Sequence, residues 1–468
     1  MDLSPYTPLY NAKELILKKV KSSLAKKDNE QAFQTVSIQL SPIDLVSLLP
    51  FIDNSQKILF CDRENQKQYL GIKFLKIFNS SFALEDAQDY ILENPKLVVL
   101  GGQRFHLNSK ASHEWSELGS HFYVLPQFMF ITENNKTVLN INIEKSIFTN
   151  TTQATKLLLD IESLFSFKGH SQKNLKLMKE LEIPSKDQWV DQVKLAKEEF
   201  KNSAIKKIVL SRKVVFKSAS QIKPDDLYES LSFNRGEHFI FHMQWRRDKS
   251  FTSITPERLF KLENSKIISD AIAGTRPRGT NQQEDQVLEK ELKTSTKELN
   301  EHRFVSKSVL EILKSIGCTD ASIDQNPEHV LKLKHVQHLY TKLTGHLHSK
   351  MTTHDLIDAF HPTPAVGGTP KLESQAWLKD NESYDRGFYA APVGVITASG
   401  ADFCVAIRSA LIQGDRAHIF AGAGIVEQSI AESEWNETEN KMRNFDFSNT
   451  NKKSSLPKEN IDEQRSSH

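Results

Sequence analysis

Over the first 184 residues, apolar positions recur in short alternating runs separated by polar turns. "KILFCD", "KLVVLGGQRF" and "HFYVLPQFMFI" have the length and the β-branched and aromatic content of strands. "NAKELILKKVKSSLAKK" spaces its apolar residues for a helix. The glycine pair in "VVLGG" predicts a structural turn. It lacks the GxGxxG spacing and the following helix that a dinucleotide site needs.

From 185 to 446 the elements become longer and cleaner. "KKIVLSRKVVF" and "DFCVAIRSALI" alternate as strands. "VLEKELKTSTKELNEHRFVSKSVLEILKSIG" has helical spacing throughout. "TPERLFKLENSKIISDAIAGTRPRG" predicts strand, turn, strand and then a glycine-bearing loop. Residues 447–468 hold almost no apolar side chains and are expected to be disordered. These patterns describe a mixed α and β protein without internal repeats.

Composition narrows the function classes. The chain has 468 residues, 38% hydrophobic and 26% charged, as expected of a soluble globular protein. A net charge of +2 argues against a nucleic-acid binder, which needs a strong basic excess. Cys61, Cys318 and Cys404 are too widely spaced for a CxxC pair or a disulfide framework, which suits a reducing compartment. No apolar run of about 18 residues occurs, and the amino terminus has no apolar core of the signal-peptide kind. A cytoplasmic location without a membrane partner is expected.

"AGAGIVEQSIAESEWNETENKM", Ala421–Met442, runs a glycine-bearing apolar stretch into an acidic helix. Glu434, Glu437 and Lys441 share one helical face, beside an inward stripe of Trp435, Thr438, Met442 and Phe445. Ser429 is a candidate cap. A solvated acidic helix start is one reading, and a metal site is the other. In "KELNEHRFVSKSVLEILKSIG", Glu301 heads an apolar stripe of Val305, Val309, Ile312 and Ile316. A carboxylate buried there must be paired, protonated or metal-bound. Glu301 with Glu437 makes an oxygen-rich, incomplete shell of the kind Mg²⁺ accepts, and a buried ion pair is the alternative.

Three further positions stand out. Cys404, Ala406, Arg408 and Ala410 fall on one predicted strand face, so small neighbours leave room above Arg408 for a carboxylate. Tyr389 in "GFYAAPVGVI" could donate to the same group. Lys207 shares a strand face with Val209, Ser211 and Lys213, where a partly buried lysine can serve as a base. Strand lysines more often extend to solvent. Glu257 could be an acid, and Gly274 and Thr275 could donate to an anion. "GTRPRG" is no P-loop, since no GK[ST] follows.

Taken in order, "KIVLSR", "TPERLF", "AIAGTRPRG", "KELNEH", "VQHLYTKLTG", "HPTPAVGGTPK", "RGFYAAPVG", "VAIRSALI" and "AGAGIVEQSIAESEWNETENK" resemble the chorismate-utilising enzyme family. The resemblance covers roughly residues 190–446. It implies an α+β fold of large, mostly antiparallel sheets flanked by helices, with 1–184 completing the fold of catalytic region 185–446. "HPTPAVGGTP", "AAPVG" and Lys207 are most similar to the family's isochorismate synthases. Thr255, Glu298 and Val395 depart from the usual serine, aspartate and aromatic at their positions.

The resemblance implies Lys207 as general base and Glu257 as general acid. It implies Glu301 and Glu437 as Mg²⁺ ligands, with Glu434 acting through water. Tyr389 and Arg408 would hold a side-chain carboxylate, helped by backbone at Gly422 and Gly424. Thr275, His338 and Lys441 would line the ring. The implied substrate is chorismate, turned over by a monomer without a glutaminase partner, for menaquinone or a siderophore. Salicylate synthesis, amination and a catalytically inactive binding homologue are the competing expectations.

Overall fold

Among the described residues, strands dominate and join one hydrogen-bonded network of 20 in which each observed pairing is antiparallel. The computed structural model describes residues 6–26, 31–165, 177–227, 238–326, 328–332 and 336–442. The tail 447–468 and Phe445 lie outside the described residues.

Two apolar cores lie on the sheets, divided by the two-residue period of the strands. In Lys57–Cys61, Ile58 and Phe60 enter one core while Leu59 and Cys61 enter the other. The first core also takes the apolar faces of helices Lys186–Asn202, Thr296–Ser315 and Ala431–Met442. The site lies at the edge of this core.

Residues before 185 pair directly with the region carrying the site. Lys57–Cys61 pairs with Phe239–Arg246, and Val99–Gln103 with Pro392–Thr397. Buried Arg63 reaches Asp270 at 2.8 Å, and Lys213 meets Glu114 at 2.5 Å.

Four local expectations change. Gly101 and Gly102 of "VVLGG" sit inside a strand, not at a turn. A Cβ on Gly101 would lie 2.1 Å from the Phe122 carbonyl oxygen, and one on Gly102 would lie 2.5 Å from that of Pro392. Close backbone approach on both sides, not chain reversal, requires these glycines. The long helical stretch is two helices, Gln282–Thr294 and Thr296–Ser315. Ser295 leaves helical geometry at ψ 110° and accepts the Glu298 N–H, a cap worth about 1 kcal/mol.

The glycine-bearing loop after Lys266 is also strand. Lys266–Pro277 runs through Gly274 and Thr275, with a register shift at Gly274, whose φ is +74°. That bulge re-aims Thr275 while keeping it in the ladder. Finally, "DFCVAIRSALI" divides into Gly400–Val405 and Ser409–Gln413. The break holds Arg408 at φ +47°, so its side chain does not follow the strand alternation.

Candidate active site

Lys207 begins the central strand Lys207–Ser218, which pairs along its length with Arg416–Ile425. Ile208 and Leu210 are fully buried in the core, which leaves Lys207, Val209 and Ser211 on the other face. The Lys207 side chain is 16% exposed, and its Nζ stands 3.8 Å from Glu301 Oε1.

The glycine-bearing stretch Ala421–Ile425 is part of the neighbouring strand. Its glycines have a concrete cause. A Cβ on Gly424 would come within 2.8 Å of Lys207 Cε, and one on Gly422 within 2.9 Å of the Tyr389 hydroxyl. Both glycines therefore make room for the site's own side chains. Strand pairing sets this, since Val209 faces Gly424 and Ser211 faces Gly422.

Glu257 precedes the strand Arg258–Glu263, and its backbone is fixed at both ends. Its N–H donates to the Thr255 hydroxyl at 3.2 Å, and its carbonyl accepts the Val405 N–H at 3.0 Å. The Thr363 hydroxyl donates to its carboxyl at 2.9 Å. Burial raises the Glu257 pKa above the usual carboxylate range, against the pull of Thr363, Lys207, Lys441 and Arg408. A carboxyl in this setting can hold a proton and still sit among cations.

Arg408 meets His238 Nε2 through Nη1 at 2.9 Å. Burial lowers its pKa to about 10, and Glu257 opposes that shift. It remains a cation at neutral pH. A non-glycine residue in the left-handed region costs on the order of 1–3 kcal/mol and recurs at ligand sites. Tyr389 is buried and stacks on Phe420 at 5.3 Å with 15° between planes. Burial pushes its phenol well above the usual range, so it stays a neutral donor.

Thr275 and His338 face each other across paired strands, with Oγ1 and Nδ1 2.9 Å apart. Burial, with Arg408 and Lys441 adding to it, lowers His338 to about 4. The ring is therefore neutral, and its buried Nε2 has no protein partner. Lys441 donates to the Gly422 carbonyl at 2.8 Å and pairs with Glu437 at 2.7 Å.

The acidic helix Ala431–Met442 is held from below by Arg212, on the Lys207 strand. Its guanidinium lies 3.3 Å from the Trp435 ring centroid and donates to Thr438 at 2.9 Å and Glu439 at 2.8 Å. Glu182 completes the clamp on Arg212. Trp435 and Thr438 point inward as expected. The hydroxyl of Ser429, the candidate cap, accepts the Val426 N–H at 3.1 Å and supports Glu434.

The expected burial of Glu301 is overturned. Its side chain is 45% exposed, and that of Glu437 is 49% exposed. The buried stripe of Thr296–Ser315 runs through Glu298, His302, Val305, Val309 and Leu313. Glu298 is thus the buried carboxylate, and it accepts the Thr275 N–H at 3.2 Å and Arg276 at 2.8 Å. Reading the stripe from Glu298 by helical steps of three and four would have found it.

Three carboxylates approach the open side of the site. Glu434 is half-buried, and its pKa is raised by burial and further by Glu437. A cation nearby would relieve both effects, so this oxygen-only set fits a hard divalent ion. Among the described residues no group of three or more His, Cys, Asp or Glu is already gathered tightly enough to hold a metal.

Lys207, Glu257, Tyr389, Arg408, Gly422, Gly424 and Lys441 are linked by contacts or mutual electrostatics, and Thr275 with His338 adjoins them. Thr363, His238 and Arg212 escaped the sequence reading, and Glu298 entered it only as a departure from the family's usual aspartate. Thr363 lies within the quoted "HPTPAVGGTPK", but nothing local shows that it reaches Glu257.

The family model "Chorismate binding enzyme" matches residues 17–446. Isochorismate synthase MenF of Bacillus subtilis is 26% identical over 444 residues, covering 90% of this chain and 94% of that protein. The chloroplastic isochorismate synthase 2 of Arabidopsis thaliana is 33% identical over 362 residues, covering 75% of this chain; the chain spans 64% of that relative's length. Among solved structures, MenF, the menaquinone-specific isochorismate synthase from Escherichia coli, superposes with a TM-score of 0.79 at 23% identity, covering 92% of this chain and 99% of that one. Anthranilate synthase component I from Streptococcus pneumoniae gives 0.62 at 19% identity, covering 89% and 92%. The antiparallel sheets, the helices on them and the matched length agree, and the chain belongs to the chorismate-binding enzyme family.

Proposed function

We propose that the protein is an Mg²⁺-dependent isochorismate synthase that adds water at C2 of chorismate and removes the C4 hydroxyl. One observation carries this reading: the buried Glu257 carboxyl lies within the electrostatic reach of Lys207, Lys441 and Arg408. A proton donor, a candidate base and two anion-binding cations therefore surround one space. The isochorismate synthases of B. subtilis and A. thaliana among its relatives support the same reading.

The substrate is a dianion with a cyclohexadiene ring, so two carboxylates must be held before chemistry begins. Arg408 offers a planar fork and Tyr389 a neutral hydroxyl to the enolpyruvyl carboxylate. Lys441 and the Thr275–His338 pair serve the ring and its carboxylate. The Lys207 amine takes a proton from water as the oxygen bonds to C2. The double bond shifts, and the C4–oxygen bond breaks. Glu257 gives its proton to the departing hydroxyl, which leaves as water. One water enters and one leaves, so the product has the substrate's mass.

Glu301 and Glu437, with Glu434 through water, would hold the magnesium ion. A magnesium ion held there would neutralise and orient the ring carboxylate. We assign the product to menaquinone synthesis, supported by the menaquinone-specific solved relative of like fold.

Purified protein incubated with chorismate and Mg²⁺, with and without ammonium, tests the reading. The expected product has chorismate's mass, a different retention, no ammonium requirement and no formation with chelator. Salicylate plus pyruvate, an aminated product or no product each overturns it. Loss of menaquinone on deletion of the gene tests the pathway.

A further inference from the structure

Arg386 is 1% exposed, and its guanidinium donors reach two backbone segments that frame the site. Its Nη2 donates to the Val209 carbonyl at 2.6 Å, two residues beyond Lys207. Its Nη1 donates to the Val366 carbonyl at 2.8 Å. Its own carbonyl accepts the Tyr389 N–H at 2.9 Å. A bidentate pair with Glu382, at 2.7 and 2.6 Å, fixes the guanidinium plane, and Phe105 stacks on it at 4.2 Å.

Each contact leads to a reacting group. Val366 and Gly367 close a tight turn onto the Thr363 carbonyl at 3.1 and 2.9 Å. Thr363 holds the Glu257 carboxyl. The same segment runs along the Lys207 strand, with Val209 N–H to Gly367 at 3.0 Å and Lys206 N–H to Thr369 at 2.8 Å. Glu382 in turn accepts the Ser211 hydroxyl at 2.8 Å, on the same strand face as Lys207. Base and acid stand on different elements that do not follow one another in sequence. Arg386 bridges the Lys207 strand and the turn that leads to Glu257.

We propose that the buried Arg386–Glu382 pair is a positioning device that fixes the separation of Lys207 from the Thr363-supported Glu257 and sets the Tyr389 turn. It contacts no substrate and transfers no proton. A pair serving only the fold would need no fork aimed at two site segments. Lysine cannot reproduce it, because an ammonium has no planar fork.

The proposal rests on the reaction given above. The test is Arg386→Lys and Glu382→Gln, assayed beside wild type at a temperature where circular dichroism shows each variant folded. The expected result is a fall in kcat of about 100-fold, the scale of an ångström-sized misplacement, with a much smaller change in KM. A folded variant with wild-type kcat, or one whose loss lies wholly in KM, overturns the positioning role. If Arg386→Lys does not fold, Glu382→Gln decides by the same split, since Gln keeps a hydrogen-bonding oxygen for Ser211. Absence of isochorismate from wild type would remove the reaction itself. Wild-type turnover with unaffected variants removes only the positioning role.

Discussion

The inner wall of the site and its open rim use the same side chain, glutamate, in opposite ways. Glu257 is buried, backed by Thr363, and raised in pKa by its burial. Glu301 and Glu437 are about half exposed, each within ion-pair distance of a lysine. The wall is built by the fold itself, and its burial favours the protonated form of Glu257. The rim is half exposed, and its carboxylates stand open to solvent beside their lysines. The proposed acid thus stands on the buried side, and the proposed metal ligands on the solvated side.

The largest expected effect tests whether the wall does chemistry. Lys207→Ala should lower kcat about 1,000-fold, within the range typical of a lost general base, with an unchanged far-UV spectrum. Near-normal turnover would take Lys207 out of the mechanism.

Glu257→Gln is expected to lower kcat about 100-fold while chorismate still binds. It should also raise the thermal midpoint at neutral pH. The native pKa is raised, so wild type is penalised above the ordinary carboxylate range, and glutamine is not. The gain should fade as pH falls through that range, where the unfolded carboxyl is protonated too. Unchanged turnover would end the acid assignment, and an unchanged midpoint would show that burial there is less costly than the wall's design requires.

The rim is tested by Glu301→Ala and Glu437→Ala. Each should weaken Mg²⁺ binding by about tenfold or more, read by calorimetric titration, since even supporting residues around a metal cost that much. Stability should change little, because both side chains are exposed. A superimposable titration in either variant removes that residue from the ligand set.

The same contrast explains what the sequence could say. Strand alternation carried the Lys207 face, and helical spacing carried the shared face of Glu434, Glu437 and Lys441. Both are properties of one element, so a linear pattern reports them. The antiparallel sheet class followed from family motifs, and local patterns alone supported only mixed α and β. Glu301 was misread as buried because the apolar stripe was started one turn face too late; Glu298 and His302 are its inward members. Arg408 was misread as strand because alternation hides a left-handed break, which only the fold around it enforces. Gly422 and Gly424 were flagged for the right property, lack of a side chain. What fills their space, Tyr389 and Lys207, depends on register between distant segments. Thr363 and Arg386 were invisible for the same reason.

The smallest effect is the most discriminating, because it changes the wall without removing any reacting group. The Thr363 hydroxyl donates to the Glu257 carboxyl and so favours its ionised form. In Thr363→Val that donor is gone, and the Glu257 pKa should rise further. As the proposed acid, Glu257 would act while protonated, so the alkaline limb of the kcat profile should move to higher pH. At the optimum kcat should fall only modestly, since the turn is still closed by the Val366 and Gly367 N–H bonds to the Thr363 backbone carbonyl. A carboxyl on the rim, solvated by water, would show no such dependence on a single hydroxyl. If the limb stays where it is in the variant, either Glu257 is not the group that sets it or water replaces the hydroxyl at no cost, and the distinction between a dry, preset wall and a wet, adaptable rim loses its main support.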